Sequence, residues 1–377
     1  MFWLSFSIIF YAYIGYILSL YVLAAFCRRS DRHCTPGTLP TVSLLISAYN
    51  EQKVIEDKLM NALSLNYPRK LLEITVVSDG STDRTEEIAG LYSDRGVKLL
   101  SCAGRLGKTA CLNKAIHAAT GDIVVFSDAN SQYDPDALRE LVKHFTDEKM
   151  GYVTGYTRYT TSSGGETVLP IGMYTKMEKL TKILESKISS CVGADGAIFA
   201  IRKSLYQPLA DSDINDFVIP LNIVRQGFRG VLEEKAFCAE KAAEGPKGEY
   251  RRQVRITNRT IRALFANADL LNPLKHGFFA YALFSHKLLK LLTPFFLSAL
   301  FVTNALLVQK GAFYLWVFIG QLLFYALAAV GSAGIRGGLM GRLISLAETF
   351  VTANLAIFVG WLLYFRGETI VTWSKAR

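Results

Sequence analysis

The chain has 377 residues, a formal net charge of +10 and a mean hydropathy of +0.24. With 51% hydrophobic residues, gathered towards its two ends, it is too apolar for an ordinary soluble protein. Its Lys and Arg residues cluster beside the apolar segments and around 250–262. This placement favours membrane lipids or a phosphorylated ligand as partners, and no nucleic acid.

Residues 1–27 are predicted to form a transmembrane anchor. The stretch 2–26 carries no charged residue and is long enough to span a bilayer, which takes about 20 apolar residues. A cleavable signal peptide is the alternative, but it would carry its basic residues before the apolar run. Here they follow it, at Arg28, Arg29 and Arg32. Positive charge is typical of the cytoplasmic flank, so the polar linker 28–40 is expected in the cytoplasm.

Strands and helices alternate in the next segment, 41–265. The apolar patterns predict strands at 41–47, 73–77, 97–101 and 123–127, each followed by a helix, at 51–63, 83–92, 108–119 and 135–145. This alternation predicts an α/β fold with a mostly parallel sheet and right-handed crossovers. The regular alternation then ends, with strands expected at 151–160, 197–201 and 231–238 and helices at 167–186 and 211–226.

The C-terminal part is predicted to lie on and in the membrane. Aromatic residues alternate with Lys and His in 266–290, which is typical of an amphipathic helix at the membrane surface. The remainder, 291–377, is predicted to be a membrane domain with two or three spanning segments and a short C-terminal tail. The runs 291–308 and 313–330 are good spans, whereas 350–365 is short and either spans or is re-entrant.

Polar side chains follow three of the predicted parallel strands at the points where these strands end. Because ligands bind at the carboxyl ends of the strands in open α/β sheets, these residues predict a binding crevice. Asp79 can accept hydrogen bonds from a nucleobase or a ribose. Asp128 and Asn130, two positions apart, can hold one divalent cation that bridges a diphosphate. The alternative for these residues is helix capping.

Two charged residues at predicted helix starts complete the candidate site. Lys108 follows a Gly-containing turn, where a phosphate or a ribose is a favourable ligand, although a solvated surface lysine remains the alternative. Asp216 opens a predicted helix, and a lone Asp at that position is normally a cap.

Several segments together resemble the motifs of a membrane-embedded family-2 glycosyltransferase. They are Ser47-Ala48-Tyr49-Asn50-Glu51, Ser78-Asp79-Gly80-Ser81-Thr82-Asp83, Gly107-Lys108 with Leu112-Asn113, Ser127-Asp128-Ala129-Asn130, and Asn215-Asp216. The apolar flanks resemble those of bacterial polysaccharide-synthesising members. The resemblance implies a nucleotide-diphospho-sugar transferase fold (GT-A-like), flanked by transmembrane helices and facing the cytoplasm of a bacterial-type cell membrane.

The resemblance also implies roles for individual residues. It implies a nucleotide-diphospho-sugar donor, a glycan or lipid-linked acceptor and an inverting mechanism. Asp128 would bind Mg²⁺ or Mn²⁺ on the diphosphate, and Asp216 would be the general base. The nucleoside would contact Ala48, Tyr49, Asn50, Glu51 and Asp79.

Some features depart from the family pattern or allow two interpretations. Asn130 stands where many members carry Asp, and the Gln-x-x-Arg-Trp motif of processive synthases is absent. In its place a basic segment either clamps a diphosphate or faces lipid head groups, and it contains Arg251, Arg252 and Arg255. The turn that contains Asp195 either borders the acceptor or is structural.

We therefore expect a membrane glycosyltransferase, of the hexosyl or N-acetylhexosaminyl type, that acts in cell-surface polysaccharide synthesis. One alternative is a processive polysaccharide synthase coupled to export. The other is a non-catalytic membrane protein that binds a nucleotide sugar.

Overall fold

A computed structural model of the chain describes residues 1–27, 38–160, 170–241, 246–332 and 338–369. Its central element is an eight-stranded sheet in the order β3-β2-β1-β4-β7-β6-β8-β5. The strands are β1 (Val42–Ala48), β2 (Leu72–Ser78), β3 (Val97–Ser101), β4 (Ile123–Asp128), β5 (Gln132–Tyr133), β6 (Met150–Thr160), β7 (Ile198–Arg202) and β8 (Arg229–Lys241).

Helices cover both faces of the sheet and extend the chain at both ends. The helices of the α/β part are α2 (Ile55–Leu63), α3 (Thr85–Gly90), α4 (Lys108–Ala118), α5 (Ala137–Val142), α6 (Pro170–Ile188), α7 (Asn215–Arg225) and α8 (Pro246–Ala266). The remaining helices are α1 (Phe2–Phe26), the short α9 (Pro273–His276), α10 (Phe278–Lys310), α11 (Ala312–Ser332) and α12 (Gly338–Phe365).

The parallel half of the sheet consists of β3, β2, β1 and β4. Every residue of β1 is buried, because helices pack on both sides of it. Leu44 contributes to the core that includes α2 and α5, while Leu45 contributes to the core that includes α4, α7 and α8. The register aligns Ala48 with Ser78 and Ser47 with Asp128, so the three strands end at the same level. The predicted α/β fold with a mostly parallel sheet is confirmed.

The second half of the sheet is mixed. Strand β7 pairs antiparallel with β4 and β6, and β8 runs parallel to β6. The two-residue strand β5, which the sequence analysis did not predict, pairs antiparallel with β8. The predicted helix 83–92 shortens to α3, because its first residues form hydrogen bonds between loops instead of helical ones.

Within the described residues, four helices are long and apolar enough to cross a membrane: α1, α10, α11 and the part of α12 from Met340 to Phe365. The apolar run 350–365 looked short because α12 begins earlier, at Gly338. A surface helix was expected up to residue 290 and a membrane span from residue 291. In the structure, helix α10 runs from Phe278 through this position. The domain boundaries at 28–40, 266–290 and 291–377 stay predictions, and residues 28–37 and 370–377 lie outside the described residues.

A buried polar cluster joins α1, α6 and α10. His286 of α10 is fully buried and lies 2.8 Å from a carboxylate oxygen of Glu178 and 2.8 Å from one of Glu185. Tyr16 of α1 donates a hydrogen bond of 2.7 Å to Glu185. Since buried charges need partners, this cluster fixes α6 against the two apolar helices.

Candidate active site

The loops after β1 and β2 are joined through one side chain. Asn50 has φ +53°, the left-handed conformation that Asn tolerates better than most residues. Its Oδ1 atom accepts hydrogen bonds from the backbone N–H groups of Thr82 (2.7 Å) and Asp83 (3.3 Å). Its own N–H donates to Ser81 Oγ at 3.1 Å. Asn50 therefore holds together the two loops that were predicted to bind a nucleoside.

The other residues of the β1 loop lie in the same region. The backbone oxygen of Ala48 accepts a hydrogen bond from Asp79 N at 3.0 Å. The ring of Tyr49 stacks with the guanidinium group of Arg105, at 4.1 Å from ring centroid to Cζ. Glu51 N donates to Thr85 Oγ1 at 2.8 Å. The structure thus brings the predicted nucleoside residues to one edge, while their contact with a ligand stays a prediction.

Asp79 is anchored by one carboxylate oxygen only. Its Oδ1 atom accepts hydrogen bonds from the backbone N–H groups of Leu106 (2.8 Å) and Gly107 (2.9 Å). Its Oδ2 atom is buried and has no hydrogen-bond partner in the described part of the chain. Asp79 lies beside Ala48 and Lys108 around a narrow gap that has no room for a water molecule, so a ligand must widen this gap to reach the oxygen. A buried acceptor without a partner is costly, so this oxygen is suited to receive a hydrogen bond from a ligand.

Lys108 and Asp128 form an ion pair at the carboxyl ends of the strands. The Nζ atom of Lys108, at the start of α4, lies 2.5 Å from Asp128 Oδ1. The Asp128 side chain remains 28% exposed, so ligands can reach it. Lys108, which was predicted to contact a phosphate, thus also contacts Asp128, the predicted metal ligand.

A divalent cation fits this place only with ligands from a substrate. Among the described residues, no group of three His, Cys, Asp or Glu side chains forms a cation site. Asp128 and the half-buried Asn130 offer one carboxylate and one amide oxygen. Mg²⁺ typically combines one or two protein carboxylates with phosphate oxygens and water. Asp128, whose carboxylate already attracts a cation, is therefore the residue that would hold Mg²⁺ or Mn²⁺ on a diphosphate.

A buried polar layer lies behind Asp128. Lys58 is fully buried, donates a 2.6 Å hydrogen bond to the backbone oxygen of Ser131, and has a pKa lowered to about 8 by burial. The Oγ atom of Ser131 donates to Glu240 Oε1 at 2.6 Å. Burial, followed by the charge of Asp128, raises the pKa of Glu240. The sequence analysis missed Lys58 and Glu240, because they reach this layer from helix α2 and strand β8.

Asp216 lies in the first turn of α7, facing a turn formed by residues 193–196. Its backbone oxygen accepts a 2.7 Å hydrogen bond from Ala194 N. A Cβ atom at Gly196 would lie only 2.7 Å from Asp216 Oδ2. The Oδ1 atom is buried without a hydrogen-bond partner among the described residues. Burial raises the pKa of Asp216, while the charges of Lys108 and Lys182 act to lower it. Such a carboxylate can take up a proton.

Asp195 holds this turn against β6. Its carboxylate accepts hydrogen bonds from Thr157 N (2.9 Å), Thr157 Oγ1 (2.9 Å) and Ala197 N (3.1 Å). Its N–H donates to Thr154 Oγ1 at 2.8 Å. The structural interpretation of this turn therefore has direct support, and a contact between Asp195 and substrate stays a prediction.

The basic segment lies on α8 and includes one residue that the sequence analysis missed. Arg251 is exposed, and Arg252 pairs with Glu249 at 3.3 Å. Burial, followed by repulsion from Arg259 and Arg252, lowers the pKa of Arg255 to about 10. Arg259 donates to the backbone oxygens of Ser212 and Asp213, just before α7. The spacing of four residues from Arg251 through Arg255 to Arg259 could have identified it.

The chain is similar to known glycosyltransferases in sequence and in structure. Residues 43–209 match the family model described as Glycosyl transferase family 2. Over 223 residues the chain is 28% identical to the poly-beta-1,6-N-acetyl-D-glucosamine synthase of Staphylococcus aureus, covering 58% of this chain and 54% of that protein. Over 121 residues it is 36% identical to the beta-monoglucosyldiacylglycerol synthase of a Nostoc species, covering 31% and 26% of the two chains. The chain thus spans about half or less of the length of these curated relatives.

Among the solved structures that resemble this chain, one matches it over nearly its full length. It is the mannosyltransferase PcManGT from Pyrobaculum calidifontis in complex with GDP-Man and Mn²⁺. The TM-score is 0.71 at 22% identity, and the likeness covers 96% of this chain and 97% of that one. This likeness extends the shared fold beyond the α/β part to the long apolar helices.

Proposed function

Because the chain contains a glycosyl transferase family 2 domain, we propose that it is an inverting glycosyltransferase acting at a membrane. It transfers a hexose or N-acetylhexosamine from a nucleotide-diphospho-sugar to a glycan or lipid-linked acceptor, in cell-surface polysaccharide synthesis. The observation that carries the proposal is the convergence of Asp79, the Lys108–Asp128 pair and Asp216 beside the carboxyl ends of the strands.

The donor is assigned to the parallel half of the sheet. Asp79 and the loops joined by Asn50 receive the nucleoside, and the buried Oδ2 atom of Asp79 accepts its hydrogen bond. Asp128 would hold a divalent cation, and such a cation would supply positive charge to the diphosphate. Arg255 and its neighbours on α8 add positive charge for the same diphosphate or for a phosphorylated acceptor.

The acceptor is assigned to the side of Asp216. The carboxylate takes the proton of an acceptor hydroxyl while the hydroxyl oxygen forms a bond to the anomeric carbon. The bond from that carbon to the diphosphate oxygen breaks, and its electron pair leaves with the nucleoside diphosphate. Attack from the face opposite the leaving group inverts the anomeric configuration.

The membrane is assigned from the four long apolar helices and from the relatives. The Staphylococcus relative makes a poly-N-acetylglucosamine, and the Nostoc relative makes a glycolipid, by their names. A glycan acceptor and a lipid acceptor are both compatible with an active site close to a bilayer. Arg28, Arg29 and Arg32 support a cytoplasmic position for the α/β domain, by the positive-inside rule.

The test compares the full-length protein with its Asp216→Asn variant, purified in detergent with Mn²⁺. A thermal-shift screen of nucleotide sugars first identifies the donor, because a ligand that binds only the native state stabilises it. We expect Asp216→Asn to bind this donor normally and to lose transfer by at least about 100-fold, as general bases contribute about 10² to 10⁴. The exposed Asp211, five residues earlier, provides the control variant Asp211→Asn with normal transfer.

The same assay separates the alternatives. A non-catalytic nucleotide-sugar-binding protein transfers and hydrolyses no donor of the panel, and that result would overturn the proposal. A processive synthase coupled to export converts labelled donor into a ladder of long products. Addition of a single sugar gives one product, which we expect because the Gln-x-x-Arg-Trp motif is absent.

A further inference from the structure

Lys182 is a buried cation that has no role in the proposed function. It lies on α6 with 7% of its surface exposed, although lysine is almost never buried without a partner. Its Nζ atom donates a hydrogen bond of 3.2 Å to the backbone oxygen of Ala194. No carboxylate of the described residues lies within 4.0 Å of this Nζ atom. The buried charge is therefore directed at the turn 193–196.

That turn connects Lys182 to the candidate base. Ala194, which accepts the hydrogen bond from Lys182, donates its own N–H to the backbone oxygen of Asp216 at 2.7 Å. Gly196 of the same turn lies so close to the Asp216 carboxylate that a Cβ atom would contact Oδ2 at 2.7 Å. A shift of the turn would consequently move the base, and Lys182, together with Asp195, is a side chain that holds the turn in place.

The charge of Lys182 also acts on the base. The charged groups around Asp216 come from five elements, and they are Lys108, Lys182, Asp195, Asp128 and Arg259. Lys108 is engaged with Asp128 at 2.5 Å, whereas Lys182 has no such ion pair. Burial opposes the charged form of Lys182, but Glu178, followed by Cys191, Asp195 and Asp216, raises its pKa. Lys182 is therefore charged at neutral pH and favours the ionised form of Asp216.

The helix that carries Lys182 is fixed to the apolar helices at two points. Glu178, one turn before Lys182, lies 2.8 Å from His286 of α10. Glu185, one turn after it, lies 2.8 Å from the other ring nitrogen of His286 and accepts a hydrogen bond from Tyr16 of α1. The second carboxylate oxygen of Glu185 accepts a hydrogen bond from the N–H group of Val192, directly before the turn 193–196. Lys182 thus sits between two carboxylates that attach α6 to α1 and α10.

We propose that Lys182 is a positioning residue for the base Asp216, and that α6, held by His286, connects the apolar helices to the catalytic turn. This inference rests on the proposed function, because it assigns a task to Lys182 in the same transfer reaction. Lys182 acts through the turn and through its charge, and it does not contact the sugar donor.

The test is the pH dependence of kcat/KM for the full-length protein at fixed, saturating Mn²⁺. Lys182→Gln retains a hydrogen-bond donor for Ala194 but removes the charge, and Lys182→Arg retains the charge. Because Asp216 must be ionised to act as the base, kcat/KM falls as the pH drops through the pKa of Asp216. Without the cation this pKa rises, so we expect the acidic limb of Lys182→Gln to move up by about one pH unit. Activity at high pH and donor affinity stay near wild type.

Control variants separate charge from a general loss of structure. Lys187→Met, on the exposed side of α6, should keep the acidic limb of the wild type. Lys182→Arg should also keep it, which a purely structural effect on α6 would not predict. An unshifted limb in Lys182→Gln overturns the inference. If Lys182→Gln does not fold by thermal unfolding, a shifted limb in Lys182→Arg overturns it instead.

The outcome for Asp216→Asn distinguishes this inference from the proposed function. If that variant keeps wild-type turnover, Asp216 is not the base, and both proposals fall. If it is inactive while Lys182→Gln keeps the wild-type pH profile, only the role of Lys182 is overturned.

Discussion

Two carboxylates of the crevice, those of Asp79 and Asp216, each keep one buried oxygen without a hydrogen-bond partner among the described residues. Such an acceptor costs about 1 to 3 kcal/mol in the free protein. A ligand that donates a hydrogen bond to such an oxygen removes this cost, so the unpaired oxygens increase the affinity for that ligand. The two oxygens differ in task, since Asp79 is held by two backbone N–H groups and Asp216 is placed to accept a proton.

Replacement of Asp79 by Asn tests its role in donor binding. Asn keeps the acceptor for the N–H groups of Leu106 and Gly107 but presents an amide N–H₂ in place of Oδ2. Loss of a hydrogen bond to a charged group costs about 1.5 to 3 kcal/mol, so the Kd of the donor should rise about 10- to 100-fold. Isothermal titration with the donor and Mn²⁺ measures this change.

The matched control is Asp122→Asn at the opposite edge of the sheet. Asp122 accepts a 2.6 Å hydrogen bond from Thr41, far from the crevice, and its variant should bind donor normally. Equal affinities for Asp79→Asn and the wild type would remove Asp79 from the nucleoside site.

At the residue scale, the sequence predicted the positions of those polar side chains that directly follow a strand. Asp79 and Asp128 come immediately after, or at the end of, buried runs, so their place at the crevice could be predicted. The pair between Lys108 and Asp128 could not, because it depends on how α4 packs across the sheet. Glu240 was missed for a related reason, since it reaches the site from β8, which is distant in sequence.

At the scale of elements, the turn 193–196 fixes the position of Asp216, the proposed general base. Its contacts are the hydrogen bonds of Asp195 with Thr157 of β6, of Ala194 with Lys182 of α6, and of Ala194 with the backbone of Asp216 on α7. The Gly-rich sequence indicated a tight turn, but three separate elements provide its contacts. Its relation to Asp216 therefore became visible only in the folded chain.

Gly196→Ala tests this turn. The added methyl group would lie 2.7 Å from Asp216 Oδ2, too close for a van der Waals contact, so the carboxylate must move. Because a misplacement of about 1 Å can cost about 100-fold, we expect kcat to fall at least about tenfold with donor affinity unchanged. Initial rates at saturating donor measure kcat. The control is Gly90→Ala at the end of α3, where a Cβ atom has no neighbour within 4 Å. Normal turnover in Gly196→Ala would contradict the close approach.

At the scale of the whole molecule, α12 packs against α8, the helix that carries the basic side chains. Gly360 of α12 meets Thr257, and Asn258 donates hydrogen bonds to the backbone oxygens of Gly360 and Glu368. Arg262 also donates to the backbone oxygen of Glu368 at 2.7 Å. The sequence analysis identified an apolar run within α12 and a basic segment within α8, but it predicted neither the helix α8 nor this contact. Small residues that allow close packing carry no periodic signal.

Gly360→Leu tests whether this contact matters for transfer. A Cβ atom at 360 would lie 2.7 Å from Thr257 Cγ2, so the larger side chain forces α12 away from α8. Overpacking of this kind costs about 1 to 3 kcal/mol, and we expect a lower unfolding temperature together with reduced transfer. Thermal unfolding in detergent and the transfer assay measure both effects.

Gly320→Leu is the corresponding control in α11. A Cβ atom there has no neighbour within 4 Å, so this variant should keep the stability and activity of the wild type. Equal behaviour of the two leucine variants would show that the packing of α12 on α8 is not required.

The short strand β5 has a consequence for the order in which the protein is made. It follows the Asp128–Asn130 segment directly, yet it pairs with Cys238 and Ala239 of β8, and Ser131 bonds to Glu240. These partners are synthesised roughly a hundred residues later, which at about 5–20 residues per second takes about 5 to 20 seconds. During that interval all four parallel strands have been synthesised, but β8, which pairs with β5 beside the Asp128–Asn130 segment, has not. The nascent chain therefore completes the surroundings of the Asp128–Asn130 segment only after β8 has been synthesised.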